Sequence, residues 1–420
     1  MTSPDPSAER PNILLLVVDC LRHDRCPVSG PTDLVCWKQL RDRGTCFEQT
    51  ISAASYTAVC FASLLTGQYS FVHGVNTMEG PALDPRTPSL ADYLQQHGYH
   101  TSAYVTGPLI EPYGLKRGFD FYQYREIKEY VYGPWGDFLR EEIINNHQTE
   151  PWFTLAHFFE VHAPRQFNGL ADPVDRISRY DLAWGQMDKW LGDLIQQVPK
   201  NTLIILTGDH GESIVTRSDR TLFSKMVKRL RRRLKLPKRP DDWKEHGHFV
   251  YEELNRIPWV ICGPGIPAGK VIEQQVSQID MTPTLLDWVG KTDHPPLLGR
   301  SLKPLLEGKS LPEQSVYLES GSGDPLRHWH ALRKPPWKYV EHPRHGSNLE
   351  NCPILYNFVD DPEERHNVIR SHPEIALELR SELDRLIHHH AASGPEAAGQ
   401  NMTAEDTEEL QDKLKSLGYI

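Results

Sequence analysis

Three places in this 420-residue chain hold side chains able to bind a cation or attack an ester. Asp19 follows the apolar run 12–18, in Val18-Asp19-Cys20. A carboxylate at the carboxyl end of a strand lies where open α/β sheets gather ligands. Asp is also a good N-cap, and Leu21-Arg22 could begin a helix, so both readings stand. Thr207-Gly208-Asp209-His210-Gly211-Glu212 follows the apolar run 202–206 and sets a carboxylate beside an imidazole. Oxygen and nitrogen donors together suit a divalent cation of intermediate hardness, and the flanking glycines favour that over a capping turn. Between these segments, the small and apolar residues from Ala58 to Leu65 suit a buried helix with Thr57 at its start. Backbone N–H groups and the helix dipole favour an anion there. A capping threonine and a nucleophilic one look the same in sequence.

The elements that would position these residues follow from periodicity. Runs 12–18, 101–105, 152–159, 202–206 and 257–262 are strand-length and too apolar for a half-exposed strand, so both faces must be covered, as in a mainly parallel sheet. Helical patterns lie between them: Ser89 to Leu94 leads to a terminating Gly98, and 179–198 repeats apolar residues at helical spacing. The expected fold is an α/β sandwich with a mainly parallel central sheet flanked by helices. After about Leu311 the texture changes. Short strands at 316–319, 330–333, 337–341 and 354–358 read as a smaller antiparallel sheet, followed by helices at 373–389 and before Gly418. The division expected is a catalytic unit over 1–311 and a C-terminal subdomain over 312–420.

Bulk properties narrow the class. A net charge of −10 argues against a nucleic-acid-binding role. Seven cysteines without CxxC spacing read as free thiols in a reducing compartment. The N-terminus lacks a signal-peptide pattern, and no run of about 18 apolar residues occurs, so the expected location is cytoplasmic.

Taken together, the segments resemble the sulfatase family of the alkaline-phosphatase superfamily. Asn12 to Arg22 resembles its opening strand and first metal aspartate. Ser63-Leu64-Leu65-Thr66-Gly67 with His73-Gly74-Val75 is similar to the nucleophile helix and the segment after it. His157-Phe158-Phe159-Glu160-Val161-His162-Ala163-Pro164 is similar to the substrate-histidine segment. Thr207 to Glu212 matches the second metal segment, His246-Gly247-His248 with Tyr251 to Pro258 the next block, and Leu355 to Asn367 the C-terminal signature. The matches run in the family's order. They imply that Asp19, Asp209 and His210 are metal ligands. With His210 where the family usually has asparagine, Mn²⁺ or Zn²⁺ is expected ahead of Ca²⁺, with Mg²⁺ also possible as the divalent cation.

One departure bears on the chemistry. Sulfatases proper carry Cys-x-Pro-x-Arg or Ser-x-Pro-x-Arg, whose first residue is oxidised to formylglycine. Here that position is Thr57, with Val59 and Phe61 at the proline and arginine positions, and Cys60 lies three residues late. Threonine cannot become formylglycine, so the resemblance implies an alkoxide nucleophile acting on phosphate, phosphonate or sulfate esters. A phosphotransferase or a non-catalytic binding protein with this fold are the alternatives. The resemblance further implies that His162 contacts the substrate's anionic oxygens or protonates the leaving group. It places His246 and Lys244 where the family keeps cationic substrate-binding residues, with His248 able to serve instead of His246 and Lys244 equally readable as a solvated loop charge. It makes Glu160 a residue that orients a histidine, with a place in a second metal site as the alternative. The partner expected is a small anionic ester.

Between Glu212 and His246 lies a basic stretch, 225–239, whose Met226, Val227, Leu230 and Leu234 share one helical face. It reads as a solvated helix, a lid that attracts an anionic substrate, or a patch touching anionic lipid; its insertion between two site segments favours the lid.

Overall fold

The computed structural model describes residues 10–77, 81–145, 150–165, 175–215, 222–234, 245–321, 328–342, 353–391 and 402–417. Strands β1 (Asn12–Val18), β2 (Thr45–Ile51), β3 (His100–Val105), β4 (Phe121–Tyr124), β5 (Trp152–Phe158), β6 (Thr202–Gly208), β7 (Arg256–Cys262) and β8 (Lys270–Ser277) form one sheet in the order β4-β3-β5-β1-β6-β7-β2-β8. All five apolar runs lie in it. β7 alone runs antiparallel to its neighbours β6 and β2. The long apolar runs follow from two-sided burial. Along β1, Ile13, Leu15 and Val17 enter one core while Leu14, Leu16 and Val18 enter the other.

The first core is filled by the helix Thr57–Thr66, the second by the helix Arg176–Ile195 through Tyr180, Trp184, Met187, Leu191 and Leu194. The helix Leu90–Gln96 begins with a capping box in which Ser89 and Asp92 satisfy each other's backbone N–H, and it is closed by Gly98 at φ +82°.

The smaller antiparallel sheet is β9 (Val316–Glu319), β10 (His330–Lys334), β11 (Trp337–Glu341) and β12 (Ile354–Asn357), in the order β12-β11-β10-β9. One face packs on Phe249, Val250 and Leu254, the other on Leu379 and Leu383 of the helix Pro373–Ala391. The final helix, Ala404–Leu417, buries Leu410 and Leu414 in the first core of the large sheet. No helix among the described residues is long and apolar enough to cross a membrane. The six described cysteines are free and buried.

Behind the helix Thr57–Thr66, His73 is fully buried. Its Nδ1 accepts the Val75 N–H at 3.2 Å, so the proton sits on Nε2, 2.9 Å from Ser63 Oγ. Burial pushes its pKa down to about 3. An unfolded chain would take up this proton near pH 6.5, so the native state gains stability above that pH and loses it as pH falls towards 3. We expect His73→Gln to flatten the dependence of unfolding free energy on pH by about 1.4 kcal/mol per pH unit inside that window. Urea melts at half-unit pH steps measure this; identical slopes for the two proteins would contradict it.

Candidate active site

The site forms where β1, β5 and β6 end together. Val18 lies in register with Phe158 on one side and Gly208 on the other, so Asp19 and Asp209 leave the sheet at the same edge. Cys20 takes φ +61°, a left-handed conformation unusual for a residue with a side chain, and turns the chain there. Its N–H donates to Asp209 Oδ1 at 3.1 Å. Gly211 is required after His210, because a Cβ there would stand 2.1 Å from the Glu253 carbonyl oxygen.

Thr57 approaches from the side. The helix N-cap is Tyr56, and Thr57 is the first helical residue. Its hydroxyl therefore does not cap. It donates to Asp19 Oδ2 at 3.1 Å and lies 3.3 Å from His210 Nε2. Cys60 is buried one turn further on, and its thiol donates to the Ala54 carbonyl at 3.1 Å. Burial holds that thiol well above its ordinary pKa, which keeps it protonated and unreactive.

The residues around Asp19 suit a cation. Asp19 Oδ1, Asp209 Oδ2 and His157 Nε2 are all buried without a hydrogen-bond partner. Asp19, His157 and Asp209 each offer one ligand atom within 4.8 Å of the others. His157 Nε2 is 3.3 Å from Asp19 Oδ2, and His210 Nε2 is 3.3 Å from Asp209 Oδ2. Buried polar atoms without partners are costly, and a bound ion would satisfy them. The electrostatics agree. Burial alone would raise both carboxylates; the neighbouring His157, His162 and His210 outweigh it at Asp19 and hold it well below the usual range. Burial and the facing Asp19 charge push Asp209 up.

The sequence pointed to Asp19, Asp209, His210 and Thr57, and the structure brings all four together. His157 was missed as a candidate ligand. It lies near the end of β5, and the strand-end logic applied to β1 and β6 would have found it.

A second group of side chains borders the first. His246 Nδ1 is 3.8 Å from Glu212 Oε1 and 3.5 Å from Cys20 Sγ, and its ring sits 4.5 Å from that of His210 and 5.0 Å from that of His162. Arg165 Nη2 donates to Glu212 Oε2 at 2.9 Å. Burial opposes a charge on His246, but the nearby Glu212 carboxylate outweighs it, so its pKa is raised. Burial lowers His162 to about 4. His162 is thus neutral at pH 7, and His246 is the more readily protonated of the two. His248 is buried, with Nδ1 3.1 Å from the His246 carbonyl. Lys244 lies outside the described residues. Glu160 departs from expectation. Its carboxylate is held by Arg125 at 2.7 and 3.1 Å and by the N–H groups of Val131 and Phe159, each at 3.0 Å. Among the described residues these four donors occupy both of its oxygens, and it neutralises a buried guanidinium rather than orienting a histidine.

Residues 11–291 match the family model described as Sulfatase. The chain belongs to the sulfatase family. A second model, N-sulphoglucosamine sulphohydrolase, C-terminal, matches residues 243–389. Among curated sulfatases, arylsulfatase K of Mus musculus is 27% identical over 223 residues, covering 50% of this chain and 35% of the relative. The N-acetylgalactosamine-6-O-sulfatase of Bacteroides thetaiotaomicron is 26% identical over 264 residues, covering 58% of this chain and 48% of the relative. The chain thus spans between a third and a half of the length of these relatives. In fold, it is similar to the phosphonate monoester hydrolase of Agrobacterium radiobacter, with a TM-score of 0.69 at 20% identity over 91% of this chain and 96% of that one.

Proposed function

We propose that this sulfatase-family chain is a metal-dependent hydrolase of phosphate, phosphonate or sulfate esters that works through a covalent ester on Thr57. The observation that carries the reading is the placement of Thr57 Oγ1 within 3.3 Å of both Asp19 and His210, on a helix N-terminus and beside buried carboxylate atoms that lack partners. Asp19, Asp209, His210 and His157 would hold the divalent cation, whose charge would favour the Thr57 alkoxide and polarise the substrate oxygen. The chain's own groups do the rest. In the metal-free chain Asp19 Oδ2 accepts the Thr57 hydroxyl's hydrogen bond; with a cation held beside it that proton would pass to water, so Oγ1 would attack and later leave as the alkoxide. His246, whose charged form Glu212 favours, would in that form bind an anionic substrate oxygen and protonate the departing alkoxide as the bond from phosphorus or sulfur to it breaks. Neutral His246 can then take a proton from the water that releases Thr57.

Phosphoryl transfer fits this apparatus better than sulfuryl transfer. Formylglycine hydrate can expel sulfate, an exit a threonine sulfate lacks, whereas a threonine phosphate can be opened at phosphorus by water. The test is a panel of aryl phosphate, phosphodiester, phosphonate and sulfate esters across divalent metals, with glycerol added to one arm. Release of free phosphate or phosphonate supports the hydrolase, and a glycerol ester as main product supports a transferase. No metal-dependent turnover of any ester would leave a binding protein.

The basic insertion also bears on substrate. Its two ends are clamped at the site, with the Ser213 N–H donating to Glu245 O at 3.0 Å and the Glu245 N–H to Ser213 O at 3.2 Å. Within it, the helix Leu222–Arg233 carries six cations and no acid. We expect changing Arg229, Arg232 and Arg233 to Ser to raise KM for a soluble anionic ester about ten-fold at low salt, with the difference shrinking near 0.5 M as screening removes the attraction. Met226, Leu230 and Leu234 are 62%, 57% and 59% exposed, so the helix's apolar face is open. That exposure favours a second reading, in which the helix meets anionic lipid. Unchanged KM with lost co-sedimentation on phosphatidylserine vesicles would select it.

A further inference from the structure

We infer that Glu319, His328 and His330 form a second metal site, separate from the catalytic centre and suited to zinc. The sheet brings these residues together. Glu319 ends β9 and lies directly opposite His330 in the antiparallel register, so their side chains rise from the same face. His328 precedes His330 by two positions, the spacing that returns a side chain to the same side of an extended chain.

The side-chain atoms converge. His328 Nε2 is 3.3 Å from Glu319 Oε2 and 3.3 Å from His330 Nε2, and all three ligand atoms lie within 4.8 Å of one another. Donors held about 2.0–2.2 Å from a tetrahedral zinc stand about 3.4 Å apart, so both separations match an edge of that tetrahedron. As a hydrogen bond, a ring-nitrogen pair at 3.3 Å is long. Glu319 Oε1 is buried without a hydrogen-bond partner, on a side chain about 2% exposed. Tyr317 OH donates to Oε2 at 2.8 Å, the kind of supporting contact that orients a ligating carboxylate.

The donor set selects the ion. Two imidazoles and one carboxylate suit zinc better than calcium or magnesium, which prefer all-oxygen sites. The His328 side chain is 23% exposed, which leaves an entry path for the ion. The consequence is mechanical. The Glu319 N–H donates to Ala53 O at 3.0 Å, and its carbonyl accepts the Ser55 N–H at 3.1 Å. A zinc on this side chain therefore braces the strand that supports the segment leading into Thr57.

The test uses the full chain with the catalytic site disabled by Asp19→Asn and Asp209→Asn. After zinc loading and desalting, elemental analysis should find one zinc per chain. Cobalt in its place should give the visible absorption of a tetrahedral centre. Adding His328→Gln and His330→Gln should abolish both signals while the circular dichroism spectrum is retained. If the disabled chain proves unstable, the same two histidine changes in the unaltered chain should lower its zinc content by one. Zinc content untouched by His328→Gln and His330→Gln overturns the site and leaves a proton shared between Glu319 and His328.

Discussion

Replacing Thr57 with alanine is expected to leave a folded protein with turnover lowered by at least about 10³, the scale of losing a nucleophile in a site whose other groups remain. Folding survives because Tyr56, not Thr57, is the N-cap, and the lost hydrogen bond to Asp19 is worth about 1 kcal/mol. Thr57→Ser retains the alkoxide and should keep a measurable fraction of activity. Cys60→Ala should turn over nearly as fast as the parent, since the thiol is buried against the Ala54 carbonyl. Initial rates beside circular dichroism decide this. An inactive Cys60→Ala protein beside an active Thr57→Ala protein would restore a cysteine-derived nucleophile.

The second large effect concerns Asp209. In the metal-free protein Asp19 and Asp209 bring like charges together in a buried place, and Asp209 is the one pushed up. Asn at this position can still accept the Cys20 and His210 N–H groups that now go to Oδ1 at 3.1 and 2.8 Å. Asp209→Asn should therefore raise the Tm of the metal-free protein by about 1–3 °C while lowering turnover at least about 10³-fold. Adding Mn²⁺ or Zn²⁺ should raise the Tm of the unaltered protein, because an ion that binds only the native state stabilises it. In the variant the same addition should do much less. Thermal melts with and without chelator measure both arms. A destabilised metal-free variant with an undiminished response to metal would contradict the assignment.

Much of this arrangement was readable from residues alone, for identifiable reasons. A parallel sheet covered on both faces must be apolar at every position, so β1, β5 and β6 announce themselves, and the residues just beyond β1 and β6 become candidate ligands. His157 was harder to see because it lies inside an apolar strand, where a histidine also suits a core. The role of Glu160 was hidden for another reason. Its partner Arg125 is 35 positions away in a segment with no motif, and only the fold brings the two together. For the terminal helix, an amphipathic pattern shows that one face is buried without showing against what. Its Leu410 and Leu414 cross back to the large sheet. The threonine's own position was a matter of one residue. As N-cap its hydroxyl would have turned into the helix, and as first helical residue it faces Asp19.

That orientation makes the nucleophile the claim on which the rest depends. The most direct measurement is mass spectrometry of the metal-loaded protein quenched during turnover of a slow aryl phosphate or phosphonate, followed by peptide mapping. The peptide containing Thr57 should carry the mass of the transferred group, the adduct should be absent from the Thr57→Ala protein, and no aldehyde should be found at Cys60. A fully active enzyme whose trapped group maps to another residue, or an aldehyde at Cys60, would contradict it.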